Sequence, residues 1–149
     1  MSKVLSEAAI LARRAELIAQ LFFQEIGASF ASVPSADIGY DFVVGFDNGQ
    51  GGMNFSVVEV KSTERPQPRT YALSLALFKR LVFTNVPSML LVVVDVKQNR
   101  LYCGWPDRQE LAKHEGAEKI RVPITEVDEA QKRVGRERLR GTATPPKLR

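Results

Sequence analysis

The chain reads as a single α/β domain, an expectation carried by its length, the order of its helical and strand periodicities, and an Asn-Gly bend between two strand-like runs. At 149 residues, with 44% hydrophobic and 26% charged content, it is long enough to bury a core without metal or disulfide staples. A helix precedes a strand hairpin, and a second helix precedes two further strands. That order describes an α/β sandwich rather than a run of regular βαβ units.

Residues 5–26 carry Leu5, Ala8, Leu11, Ala15, Ile18 and Phe22 at three- and four-residue spacing, with Gly27 as a stop, which predicts an amphipathic helix. Glu16 borders the packed stripe of that helix. A short strand over 28–33 and a turn over 34–39 follow, with Asp37 as a turn former. Residues 40–46 and 53–61 then read as two strands around Asn48-Gly49, the strongest short-range hairpin signal. A bend centred on 48–50 places Asp41 opposite residues 57–60 and hence beside Glu59. After a polar, proline-containing loop over 62–69 come a short segment over 70–74 and a helix over 75–84. The apolar run 88–95 fits a central strand covered on both faces. A more exposed strand over 101–105, a polar helical patch over 108–114, a strand over 119–122 and a helix starting near Thr125 complete the order, Thr125-Glu-Val-Asp128 resembling a capping box. The domain is expected over 1–130, with a basic, flexible tail over 131–149.

Composition excludes several chemistries. Cys103 is the sole cysteine, so one chain builds neither a disulfide nor a thiolate zinc site, and a reducing, cytoplasmic setting follows as the expectation. His114 is the sole histidine and lies between Lys113 and Glu115, a poor setting for a Ser-His-Asp triad or a histidine metal site. The glycines at 49, 51 and 52 belong to a hairpin bend and not to a strand-to-helix phosphate loop. The N-terminal segment is too charged for a signal peptide, and the longest apolar run, Met89 to Val94, is too short to cross a bilayer. The net charge of +4 is uneven: residues 131–149 hold seven Lys or Arg against Glu137 alone. Such a segment can neutralise the phosphates of a polyanion, or simply be a solvated end.

What remains is an acidic constellation of Asp41, Glu59 and Glu16 with Lys61 alongside. Strand periodicity sends Glu59 and Lys61 to one face, about 7 Å apart. Charges inside an apolar run must be matched with each other, with a metal or with an anionic ligand. Carboxylates on neighbouring strands, roughly 5 Å apart, suit Mg2+ or Mn2+, and a nearby lysine can serve an attacking water; these are the parts of phosphodiester hydrolysis. A structural Glu59–Lys61 ion pair is the bland alternative. Asp95-Val96-Lys97 repeats the tripeptide pattern at another strand end, but no acidic residue lies between Arg65 and Val94 to join it.

Asp41, the intervening residues to Glu59-Val60-Lys61, and the preceding helix with Glu16 resemble the PD-(D/E)XK nuclease superfamily over residues 10–125. The pattern Asp37-Ile-Gly-Tyr-Asp41, Val58-Glu-Val-Lys-Ser-Thr63 and Val86 to Trp105 is similar to a bacterial branch related to Holliday-junction resolvases, often found near mobile elements and defence genes. The resemblance implies a restriction-endonuclease-like α/β/α sandwich with a central mixed sheet of about five strands. It further implies an Mg2+- or Mn2+-dependent endonuclease acting on nucleic acid, DNA first, as a homodimer or with a partner protein. Asp41, Glu59 and the Val60 carbonyl would bind metal, Lys61 would serve the water, and Glu16 would be an accessory acid. Tyr40 stands where the superfamily's proline precedes the aspartate, and Gln20 and Gln67 are candidate counterparts of its glutamine. A non-catalytic nucleic-acid-binding or partner-binding member of the fold is the competing expectation.

Overall fold

Helix α1 (Glu7–Glu25) starts at Ser6, whose side chain accepts from the Ala9 N–H, and buries Ala15, Ala19, Phe22 and Phe23 along one stripe. In the computed structural model, which describes residues 4–33, 40–83, 88–114 and 116–141, this stripe lies on a six-stranded mixed sheet. The strands are β1 (Phe30–Ser32), β2 (Phe42–Asp47), β3 (Met53–Thr63), β5 (Ser88–Asp95), β6 (Arg100–Gly104) and β8 (Thr125–Glu126), in that spatial order. Among the described strands of this sheet only β3 and β5 pair in parallel, joined through β4 (Thr70–Ser74) and α2 (Leu75–Phe83). Strand β4 pairs with β7 (Lys119–Pro123) in a separate two-stranded ribbon. The remaining helices are α3 (Glu110–Lys113) and α4 (Glu129–Arg140).

The sheet has a core on each face. Alternating residues Val58 and Val60 of β3, with Leu90, Val92 and Val94 of β5, meet α1 and Leu139 of α4. The intervening residues Leu91 and Val93 meet Phe78, Leu81 and Val82 of α2 and Leu73, Ile120 and Val122 of the ribbon. This is the α/β/α layering expected, with six strands in the sheet. Strand β5 is buried on both faces, as its continuous apolar sequence predicts.

The hairpin register is Phe42 opposite Val58 through Asp47 opposite Met53. Its bend is held by Asn48, whose Oδ1 accepts from Gln50 N–H at 2.8 Å and Gly52 N–H at 3.2 Å. Gly49 and Gly51 take φ of 77° and 83°, a region that glycine enters without Cβ strain.

Two expectations change at the C-terminal end. The helix begins at Glu129 rather than near Thr125, because Asp128 is the N-cap and accepts from Gln131 N–H at 2.8 Å, while Thr125–Glu126 adds a strand beside β6. Residues 131–140, within the segment expected as a tail, belong to docked helix α4: Leu139 is buried, Arg136 Nε donates to the Ile26 carbonyl at 2.7 Å, and Asn54 Nδ2 donates to the Arg140 carbonyl at 2.7 Å. The turn at 34–39 with Asp37, the dipeptide Val86-Pro87, and Lys147 and Arg149 lie outside the described residues.

Candidate active site

Strand β3 is buried from Ser56 to Val60, and its odd-numbered residues face α2. Glu59 is the cross-strand partner of Leu91, and Lys61 that of Val93, so both charges stand on an apolar floor. The Glu59 side chain retains 10% exposure and that of Lys61 34%, with Lys61 Nζ 3.4 Å from Glu59 Oε1.

Asp41 arrives from the end of β2. Its N–H donates to the Val58 carbonyl at 2.9 Å, although Phe42 is the residue registered with Val58. Two residues thus face one, an irregularity of the kind that re-aims a side chain at a strand end. The redirected carboxylate accepts the Val60 N–H on Oδ2 at 2.7 Å. Because the N–H and C=O of one strand residue leave the backbone on the same side, the Val60 carbonyl also faces the Asp41 side of β3.

Asp41, Glu59 and Lys61 line one open depression of about 340 Å3, together with Tyr40, Ser74, Ala76, Leu77 and Arg80. Burial first, and then the charge of Asp41, pushes the Glu59 carboxyl up to about 7 from 4.5, against the opposing pull of Lys61 and Arg80. Arg80 was not legible as a site residue: nothing in the local pattern of α2 separates it from an ordinary surface arginine, and it reaches the depression because α2 packs over the odd-numbered face. Tyr40 enters as the chain neighbour of Asp41, and Ser74 at the end of β4, immediately before α2.

Glu16 does not line this depression. It stands on α1, which packs against the opposite face of the sheet, and its Oε2 lies 3.4 Å from Arg13 Nη1. No group of three or more His, Cys, Asp or Glu among the described residues is placed to hold a metal. Gln20 donates to the Ala31 carbonyl at 3.1 Å and braces β1. Gln67 occupies a loop turn with φ of 48°. Asp95 is a turn former, its Oδ1 accepting from Lys97 N–H at 3.0 Å and Gln98 N–H at 3.1 Å. His114 lies on the surface, 3.4 Å from Glu110, and Tyr102 is a packing residue with 2% exposure.

Asp41 and Glu59 present hard oxygen donors in one partly dry depression, where the Asp41 charge makes ionisation of Glu59 costlier. That donor set fits a divalent cation of the Mg2+ class, which takes one or two carboxylates and fills its remaining positions with water and substrate oxygen.

No protein-family profile and no curated protein sequence matches the chain. Among solved structures the chain is similar to a Holliday junction resolvase from Archaeoglobus fulgidus, at 16% identity, covering 83% of this chain and 88% of that one with a TM-score of 0.49. It is also similar to a bacterial homing endonuclease, at 16% identity, covering 84% of this chain and 81% of that one with a TM-score of 0.48.

Proposed function

We propose that the protein is a divalent-metal-dependent nuclease that hydrolyses phosphodiester bonds, with DNA as the first substrate to test. The observation that carries this reading is the convergence of Asp41, Glu59 and Lys61 in one depression, where burial holds the Glu59 carboxyl near neutrality. Asp41, Glu59 and the Val60 carbonyl would hold Mg2+ or Mn2+. Bound there, the ion would polarise the phosphate and make its water more acidic.

The chain's own groups have separate tasks. Asp41 is oriented by the Val60 N–H, so its rotamer is set before any ligand arrives. Lys61, 3.4 Å from Glu59, positions the attacking water and offsets charge gathering on the phosphoryl oxygens. In the reaction the water oxygen bonds to phosphorus, the P–O bond to the leaving nucleotide breaks, and that departing oxygen acquires a proton. Arg80 adds positive potential at the rim. Glu16, on the other face of the sheet, has no part in these steps. One such site per chain calls for a homodimer or a partner protein if both strands of a duplex are cut, and a defence or mobile-element setting belongs to the same proposal.

The test is cleavage of plasmid and oligonucleotide DNA, with RNA in parallel, by purified protein in Mg2+, Mn2+ or EDTA. Nicking that needs the metal and is lost in Asp41→Asn and Lys61→Ala is the expected result. Asparagine keeps an acceptor for the Val60 N–H, so that substitution separates chemistry from folding. Cutting by both variants at the wild-type rate would overturn the assignment. The 3.4 Å Lys61–Glu59 pair also favours a second reading, a self-satisfied ion pair in a non-catalytic nucleic-acid-binding or partner-binding member of the fold. Metal-independent binding with no cleavage in either ion would select it.

A further inference from the structure

Past Lys61, strand β3 runs through Ser62 and Thr63 into a second depression of about 790 Å3 whose lining includes Arg65, Lys97, Lys119 and Arg121, with Glu64 as the one carboxylate among the described lining residues. The cations come from three separate parts of the chain. Strands β3 and β5 end together at the Thr63–Asp95 pair, which brings Arg65 and Lys97 to one end of the sheet. Lys119 and Arg121 are the outward residues of β7, alternating with buried Ile120 and Val122.

Their cross-strand partners on β4 are small: Ser74 opposite Lys119 and Ala72 opposite Arg121. That leaves the outer face of the ribbon low and open between the cations. Ser74 also lines the Asp41–Glu59–Lys61 depression, while Ala72 lines the basic one, so the two are neighbours along one ribbon. Among the described residues Arg65, Lys97 and Lys119 have no carboxylate within ion-pairing distance, and Arg121 Nη1 donates only to the Thr70 hydroxyl, at 3.3 Å.

Gathering uncompensated cations in one groove raises the potential there and favours a polyanion. Lys119 and Arg121 are two residues apart on one strand, about 7 Å, comparable to the step between successive phosphates of a nucleic-acid strand. The described lining residues offer cations and hydroxyls, the groups that meet phosphate oxygens, and phosphate contacts position without specifying sequence. We propose that this groove holds the phosphodiester backbone of the nucleic acid beside the scissile bond, with Lys97, Lys119 and Arg121 contacting phosphates. The assignment rests on the nuclease reading of the adjacent site, and it gives a role to the lysine of the Asp95-Val96-Lys97 tripeptide.

The experiment is fluorescence anisotropy of a labelled random-sequence DNA duplex, titrated with full-length protein in EDTA at several NaCl concentrations. The variants are Lys97→Gln/Lys119→Gln/Arg121→Gln, the double Lys97→Gln/Lys119→Gln, which breaks no hydrogen bond of the fold, and Lys132→Gln/Arg133→Gln on α4 as a charge-matched control for the double. The triple variant should weaken binding at least tenfold and flatten log Kd against log[NaCl] by about 2–3, the double by about 2, and the control far less. Equal effects in the double and the control, unchanged slopes, or competition by polyglutamate as effective as that by unlabelled DNA would each overturn the proposal. Cleavage assayed separately in Mg2+ keeps the two readings apart: loss of binding in the triple variant with an inert wild type removes the nuclease reading alone, whereas an active wild type whose binding ignores the triple substitution removes the groove.

Discussion

On the α1 and α4 side of the central sheet, three arginines of α4 are tied into the fold; on the α2 side, charge is left concentrated and open to a ligand. Arg136 donates to the Ile26 carbonyl at the end of α1, Arg140 donates to the Asp47 carbonyl at 3.1 Å, and Arg138 lies 3.9 Å from the centre of the Trp105 ring. Their direct contacts are two backbone carbonyls and a ring, and the Arg136 and Arg140 guanidinium groups satisfy helix-end and loop oxygens. Glu59, by contrast, sits on an apolar floor beside another carboxylate, its proton affinity raised, and Arg65, Lys97 and Lys119 converge without carboxylate partners among the described residues. A strongly basic stretch of sequence is therefore a poor guide to where a polyanion docks. Cations that touch carbonyls hold the structure together, and cations without partners remain available.

The contrast can be broken most directly at Lys61. Lys61→Ala should lower the rate of metal-dependent DNA cleavage by about 10²–10⁴-fold with the fold intact, measured by single-turnover cleavage alongside circular dichroism; a wild-type rate would make the α2 face as structural as the other. On the α4 side, Leu139→Ala should cost about 2–4 kcal/mol in urea unfolding, while the native fraction keeps its cleavage rate. A selective loss of cleavage in fully folded Leu139→Ala protein would erase the distinction between the two faces.

Glu59→Gln is a smaller and pH-dependent test. Because the folded protein raises the Glu59 pKa from 4.5 to about 7, it binds that proton more tightly than the unfolded chain does. The associated stability is full below about pH 4.5 and is lost as pH rises through 7. Metal-free Glu59→Gln should therefore match wild type near pH 4.5 and exceed it by about 1–3 kcal/mol at pH 8, read from unfolding at both pH values; equal stability at pH 8 would mean that the site holds no such strain. The smallest effect is expected from Arg136→Gln, which should cost about 1–2 kcal/mol in stability and leave the salt dependence of DNA binding nearly unchanged. A drop in that slope matching the groove variants would assign the α4 face a share of the ligand.

Much of this layout is legible in the sequence. The Asn48-Gly49 bend and the alternation around it placed Asp41 beside Glu59, because hairpin register follows from turn position and the two-residue period of a strand. The continuous apolar run of β5 predicted a strand covered on both faces, and Asp95 read correctly as a strand-end residue. The capping signal at Thr125 misled because Asp128, three residues on, also caps well, and β6 offered Thr125 and Glu126 a strand partner that local pattern cannot reveal. Glu16 groups with the acids in the sequence because it borders the packed stripe of α1, but the stripe does not say which face of the sheet it covers.

By itself, then, the sequence determined the local terms: the hairpin, the shared face of Glu59 and Lys61, the helical stripes, and a single cysteine that cannot build a disulfide or a thiolate zinc site within one chain. These depend on residues close in the chain, where periodicity and turn chemistry act directly. Only the tertiary structure decided that α1 covers one face and α2 the other, removing Glu16 from the site and bringing in Arg80. The same packing committed Arg136, Arg138 and Arg140 to backbone carbonyls and an aromatic ring, and collected Arg65, Lys97, Lys119 and Arg121 into one groove. Those outcomes depend on which apolar surfaces bury each other across long separations in the chain, and side-chain charge follows wherever that burial carries it.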